Sequence, residues 1–167
     1  VYTQRVDQGG VGRSAPIALP NSGPAKAQTL SYDGNTLHIT YADGKKIISA
    51  DITGEMKTEV LSESGTTPAA GALGAVVWIE SGNLLFRSNV VKKNFLSRDE
   101  SDIEPTVIVT GGIQDPQLAF DGKNYGVVWA QSNGAGREIR FQRVAMNGEL
   151  IGQPIKVSAV SGVSQKP

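Results

Sequence analysis

The sequence predicts an all-β fold of repeated four-stranded antiparallel units, and three observations predict it. The first is an ungapped internal repeat. Residues 1–29 and 139–167 share Gln-Arg-Val (Gln4, Arg5, Val6; Gln142, Arg143, Val144) and, ten residues after the valine, Pro-Ile (Pro16-Ile17; Pro154-Ile155), at an offset of 138 (142 − 4). The second is a shorter match at an offset of 88 (121 − 33), where LSYDGNTLHITYAD at 30–43 falls on LAFDGKNYGVVWAQ at 118–131. It aligns Asp33-Gly34 with Asp121-Gly122 and Tyr41 with Trp129. The third is the lack of helical periodicity. No window of ten or more residues spaces its apolar side chains at 3.6, and Gly, Pro or Asn-Gly interrupts every candidate.

The last copy shows the unit most clearly. Gln117–Phe120 reads as a first strand closed by the Asp121-Gly122 turn, whose glycine tolerates a positive φ. Tyr125–Ala130 is a continuous apolar run, the mark of a strand covered on both faces. Glu138–Ala145 alternates, with Ile139, Phe141 and Arg143 on one side and Arg140, Gln142 and Val144 on the other. Asn147-Gly148 turns the chain into Pro154–Ser158, which Pro154 opens as an outermost strand. The copy at 30–62 supplies its first two strands within 30–43, then Lys46–Thr53 and Glu59–Ser62. In the middle copy GAVVWIE at 74–80 matches YGVVWAQ at an offset of 51 (129 − 78), followed by Leu84–Val90 and Thr106–Thr110.

Four strands per unit, at a mean spacing of about 46 residues (138 ÷ 3), describe β-propeller blades: small sheets packed face to face around an axis. The expected division is a half-blade at 1–28, blades at about 29–65, 66–115 and 116–158, and a linker at 159–167 leading toward a next blade. Such a unit cannot bury its apolar faces alone, so the Val-Val-Trp strand is expected to be sandwiched between neighbours. Three blades and an outer half are too few to close a ring of four to eight. Further blades are expected from the same protein or from a homo-oligomeric partner. The chain opens on Val-Tyr-Thr-Gln, with neither an initiator Met nor a signal peptide, so a processed or trimmed piece of a longer protein is expected.

The pattern P-x-L-A-F-D-G-x-x-Y-G-V-V-W, followed by E-I-R-F-Q-R-V-x-x-x-G and P-I-K-V-S, resembles the propeller repeats of large secreted bacterial surface proteins. The resemblance is strongest over 116–158. It implies a β-propeller and an extracellular or cell-surface location, or a periplasmic one, with glycan or protein ligands.

Composition narrows the function classes. Sixteen basic and sixteen acidic residues leave no net charge to steer the chain to nucleic acid. No apolar run approaches the roughly 18 residues of a membrane-spanning helix. With no cysteine there is no disulfide, thiolate metal site or cysteine nucleophile.

No catalytic residue is assigned. His38, the only histidine, lies inside a second strand, and the repeat supplies it with no obvious carboxylate partner. The ligand-binding candidates are Tyr32, Asp33, Asp121 and Tyr125: the two aromatics beside turns are the expected surface aromatics, and the two acids recur at one blade position. Asp-Gly is first of all a turn device, so a structural role for both acids stands beside the functional one. Arg5, Arg87 and Arg143 fall on third strands, where their stems are expected to cover apolar edges. Asp99, Asp102 and Glu104 form an acidic run that lacks the spacing and central glycine of a Ca²⁺ loop, so no cofactor is assigned and Ca²⁺ has no support. The leading expectation is a non-enzymatic binding module for glycan or protein ligands. The alternatives are a glycosidase or lyase with Asp33, Asp43 and Asp121 converging at the channel, and an architectural spacer.

Overall fold

The computed structural model describes residues 2–4, 7–19, 26–53, 56–88, 104–134 and 136–158. They form one two-stranded and three four-stranded sheets, all antiparallel, with no α-helix among them. The leading pair is β1 (Tyr2–Thr3) and β2 (Ile17–Ala18). Sheet I holds β3 (Lys26–Tyr32), β4 (Leu37–Asp43), β5 (Lys46–Asp51) and β6 (Lys57–Ser62). Sheet II holds β7 (Gly65–Ala70), β8 (Val76–Glu80), β9 (Asn83–Arg87) and β10 (Thr106–Thr110). Sheet III holds β11 (Ile113–Phe120), β12 (Asn124–Ser132), β13 (Arg137–Ala145) and β14 (Leu150–Lys156). Each is a meander in chain order.

The repeats seen in sequence recur as hydrogen-bond register. Thr29↔Thr40 and Tyr32↔Leu37 in sheet I become Gln117↔Val128 and Phe120↔Tyr125 in sheet III, each residue displaced by 88 (121 − 33). Tyr2↔Ala18 and Thr3↔Ile17 become Arg140↔Lys156 and Phe141↔Ile155, displaced by 138 (142 − 4). The turns repeat as well. Gly10 donates to the Asp7 carbonyl and Asp7 to that of Val11, as Gly148 does to Ala145 and Ala145 to Glu149. The leading pair thus matches β13 and β14, the third and fourth strands of sheet III, in register and in turn.

The sheets stack in chain order, and sheet II hides both faces of its middle strands between its neighbours. Toward sheet I, sheet II presents Val76, Trp78 and Leu85, which meet Ala42 and Ile47. Toward sheet III it presents Val77, Leu84 and Phe86, which meet Tyr125, Val127 and Trp129. Sheet I turns Ile39, Tyr41 and Ile48 the other way, onto Leu19 beyond β2. The aligned second-strand aromatics Tyr41, Trp78 and Trp129 therefore face the preceding unit, and all three are buried. Two indoles keep their N–H bonded within the strand: Trp78 Nε1 donates to Glu80 at 3.0 Å, and Trp129 Nε1 to Gln131 at 3.3 Å. Where sheets I and II meet, a Cβ on Gly65 would lie 2.6 Å from Ile47 and 2.7 Å from Trp78, so only glycine allows that approach.

The strand ends differ from the sequence reading at prolines. The strand expected at Gln117–Phe120 begins at Ile113, and Pro116 sits inside it. A β-bulge between Gln114 and Gln117 absorbs the imide, with Asp115 at φ 48°. β7 repeats the device 48 residues earlier (115 − 67), with Thr67 at φ 47° before Pro68. Both are edge strands, where a missing ladder donor is tolerated. Pro154 likewise lies within β14 instead of opening it. There Gly152, Gln153 and Pro154 bulge opposite Gln142. The buried Gln142 amide bridges the gap, donating to the carbonyls of Arg143 (2.8 Å), Ile151 (3.0 Å) and Gly152 (3.3 Å). Gln4 does the same, donating to the Ser14 carbonyl at 2.8 Å. The glutamine of the Gln-Arg-Val motif is a side-chain patch for a bulged fourth strand.

Candidate functional site

Two hollows carry the residues singled out from the sequence. The larger, about 570 Å³, lies between the leading pair and sheet I. Thr3, Gln4, Ser14 and Ile17 form one wall; Tyr32, Asn35, Leu37, Ile52 and Thr53 form the other. Among the described residues no charged side chain lines it. The smaller, about 210 Å³, lies on the outer part of sheet III and brings Asp121, Tyr125, Phe141 and Arg143 together.

The turn after each first strand fixes the two candidate acids. Asp33 Oδ1 accepts from the Asn35 and Thr36 amides at 2.9 and 2.6 Å. Asp121 Oδ1 accepts from the Lys123 and Asn124 amides at 2.8 and 2.7 Å. The following glycines stand at φ 97° and 95°, so Asp-Gly forms one turn twice, the Asp side chain capping amides that the turn exposes. Burial raises the Asp33 pKa, but the Thr36 and Asn35 amides and then His38 outweigh it, and the net shift is downward. Asp121 is also lowered, first by the Asn124 and Lys123 amides, with Arg143 contributing less. The Arg143 Nη2 lies 3.9 Å from Asp121, and both side chains are exposed. The structural role weighed for these acids is what the turns display.

The two aromatics part company. Tyr32 is 56% exposed and donates to the Gly34 carbonyl at 2.8 Å. Tyr125, expected at the surface beside its turn, is fully buried, which corrects that reading. It faces sheet II, its ring 5.2 Å from Phe86 and 4.8 Å from Phe120, and its hydroxyl donates to the Ala72 carbonyl at 3.2 Å. Burial raises its pKa. Its turn is near the surface, but the side chain points along the sheet face that the neighbour covers.

His38 does have a carboxylate neighbour, contrary to the sequence reading: Asp33 Oδ2 lies 3.5 Å from Nε2 across the turn. Ser31 stands opposite His38 in the register, and its hydroxyl is buried without a hydrogen-bond partner. Ser, His and Asp are thus close without the serine–imidazole hydrogen bond that activates a nucleophile. Folding, not spacing, creates this grouping, so no motif announced it.

The arginines also separate. Arg87 aligns by register with Gln142, not with Arg143, and so points to the opposite face. Its buried guanidinium meets Glu59 of sheet I at 2.6 Å, tying sheets I and II. Arg5, Asp99 and Asp102 lie outside the described residues; Glu104 is exposed. Asp43 ends β4, two residues past Tyr41, at the position taken by Glu80 and Gln131 beside the two tryptophans. Among the described residues no group of three acids or histidines is placed to hold a metal ion, and no helix is long and apolar enough to cross a membrane. Comparison with known proteins gives no matching family model and no matching curated protein.

Proposed function

We propose that the chain is a non-enzymatic binding module built from β-propeller blades, engaging a glycan or protein ligand outside the cell. One observation carries the reading: three consecutive four-stranded sheets each bury a second-strand aromatic against the unit before them. Identical wedges stacked in chain order are what a propeller sector requires. Such scaffolds hold variable turns rigidly at one end, a common arrangement for binding. The extracellular setting rests on the sequence resemblance alone.

The outer face of sheet III supports the need for further blades. Val128 and Phe141 occupy the positions that Val77 and Phe86 hold in sheet II, where sheet III covers them. Nearby Ile155 and Val157 are more than half exposed, whereas Leu19, the counterpart of Val157, is buried under sheet I. Among the described residues, sheet III therefore presents an apolar outer face of the kind that another blade would cover.

The acids of the enzyme alternative are occupied otherwise, since Asp33 and Asp121 use one oxygen each on turn amides and belong to different sheets. A panel of glycans and extracellular proteins, read by calorimetry beside a turnover assay, tests the assignment. Saturable binding without product is expected. Product formation abolished by Asp121→Asn would replace the binding module with an enzyme.

A further inference from the structure

We propose that sheets I and II meet across a polar joint, at which the stack opens while sheets II and III stay closed on each other.

One register row defines the joint. On sheet II, Ala69, Val77 and Phe86 stand side by side on β7, β8 and β9, and all three are buried in the apolar cluster shared with sheet III. The same row of sheet I, turned toward sheet II, reads Thr29, Thr40 and Ser49. Thr40 and Ser49 stand 37 residues before Val77 and Phe86 (77 − 40), the spacing that also relates Tyr41 to Trp78. Hydroxyls thus occupy a layer that is hydrocarbon at the next interface. The adjoining row, toward the Asp33-Gly34 turn, is polar as well: Ser31 lies opposite His38, and His38 opposite Asp51. Cross-strand partners share a face, so these groups point the same way as the hydroxyl row.

Packing leaves this layer short of hydrogen bonds. Among the described residues four buried side-chain atoms lack a partner, and three of them are here: Ser31 Oγ, Thr40 Oγ1 and Arg87 Nε. Thr40 is fully buried, and Ser31 and Arg87 are 7% and 9% exposed. Two hydrogen bonds cross at the ends of the row. The Ala70 amide of β7 donates to Thr29 Oγ1 at 3.3 Å, and Arg87 Nη2 of β9 donates to Glu59 Oε1 at 2.6 Å. The Glu59 side chain is 42% exposed, so water competes for that pair. Apolar contact lies at the other end of the interface, where Val76, Trp78 and Leu85 meet Ala42 and Ile47. A buried hydroxyl or N–H without a partner costs free energy that water returns once the faces part, on the order of tenfold in favour of the open form for each group. Parting sheets II and III would instead bare Val77, Phe86, Tyr125 and Trp129. Opening is therefore easier at the first interface, and a stack held by nearest-neighbour terms can open there alone. The joint gives an otherwise rigid scaffold one place to change shape.

Thiol labelling tests the proposal cleanly, because the chain has no cysteine of its own. Ala42 and Ala69 are each 7% exposed, the first in the cluster of sheets I and II and the second in that of sheets II and III. Ala42→Cys should react with an excess of an aromatic disulfide reagent at least about tenfold faster than Ala69→Cys, since labelling follows the open population. Adding Thr40→Val, which removes one unpaired hydroxyl at nearly constant shape, should slow the first reaction about tenfold and leave the second unchanged. Equal rates at the two alanines, or a rate at Ala42→Cys that Thr40→Val leaves unchanged or raises, would overturn the proposal. Fluorinated tryptophan in the otherwise unsubstituted chain gives a readout free of core substitutions, because Trp78 lies at the first interface and Trp129 at the second. Fluorine resonance exchange with a water-exposed form is expected at Trp78 alone, and any other pattern contradicts the joint. Loss of the joint would leave the stacking standing, which coupling between Phe86 and Tyr125 probes separately.

Discussion

Replacing Trp129 by alanine is expected to destabilise the protein by about 3–5 kcal/mol, because the indole is fully buried between sheets II and III and a cavity replaces it. A loss of that size is a large fraction of the ~5–15 kcal/mol that holds a typical domain together. Sheet III is the last described unit and meets only sheet II, so the damage should be uneven. A stacked array is held by nearest-neighbour interface terms, so weakening one interface uncouples the units on either side of it. Denaturant unfolding followed by circular dichroism should therefore change from one transition to two, with sheet III melting early. Tyr32→Ala removes a large aromatic from an exposed position and should shift stability by no more than about 0.5 kcal/mol. Equal effects at the two sites would mean that Trp129 does not sit at a sheet–sheet interface.

The second large effect belongs to Gln142. Its buried amide donates to the carbonyls of Arg143 in β13 and of Ile151 and Gly152 at the bulge of β14. Gln142→Leu keeps the volume and strips the donor, at an expected cost of about 1–3 kcal/mol for the carbonyls left unmet. Gln142→Glu should fare no better, since a carboxylate beside carbonyl oxygens only repels. Hydrogen exchange localises the change: the Val157 amide, bonded to the Ile139 carbonyl at 2.8 Å, should lose protection while β12 amides keep theirs. Uniform loss across sheet III would instead mark Gln142 as a general core residue.

The repeat phase was readable because it is written in turn residues and apolar runs. Asp33-Gly34 and Asp121-Gly122 form the expected turns, and Thr106–Thr110 is the strand expected there. Tyr41, Trp78 and Trp129 occupy equivalent core positions, as their offsets required. The boundaries misplaced at prolines share one cause. Pro116 and Pro154 look like strand ends in sequence, yet a bulge on an edge strand accommodates each imide, as another does at Pro68. The site residues were harder to read because their settings depend on which face a neighbour covers. Tyr125 and Tyr32 both adjoin an Asp-Gly turn, but sheet II covers the first, and only the narrow leading pair stands before the second. The approach of His38 to Asp33 and the reach of Arg87 to Glu59 arise from folding across a turn and between sheets, which no local spacing encodes.

All of these readings assume that successive repeats press their sheet faces together. A double-mutant cycle on Phe86 of sheet II and Tyr125 of sheet III, whose rings lie 5.2 Å apart, reports on that contact directly. Leucine at each position, singly and together, should give a coupling energy of about 0.5–1.5 kcal/mol, as measured for aromatic pairs in contact. Strictly additive losses would place the two rings apart and contradict the stacking of sheets II and III.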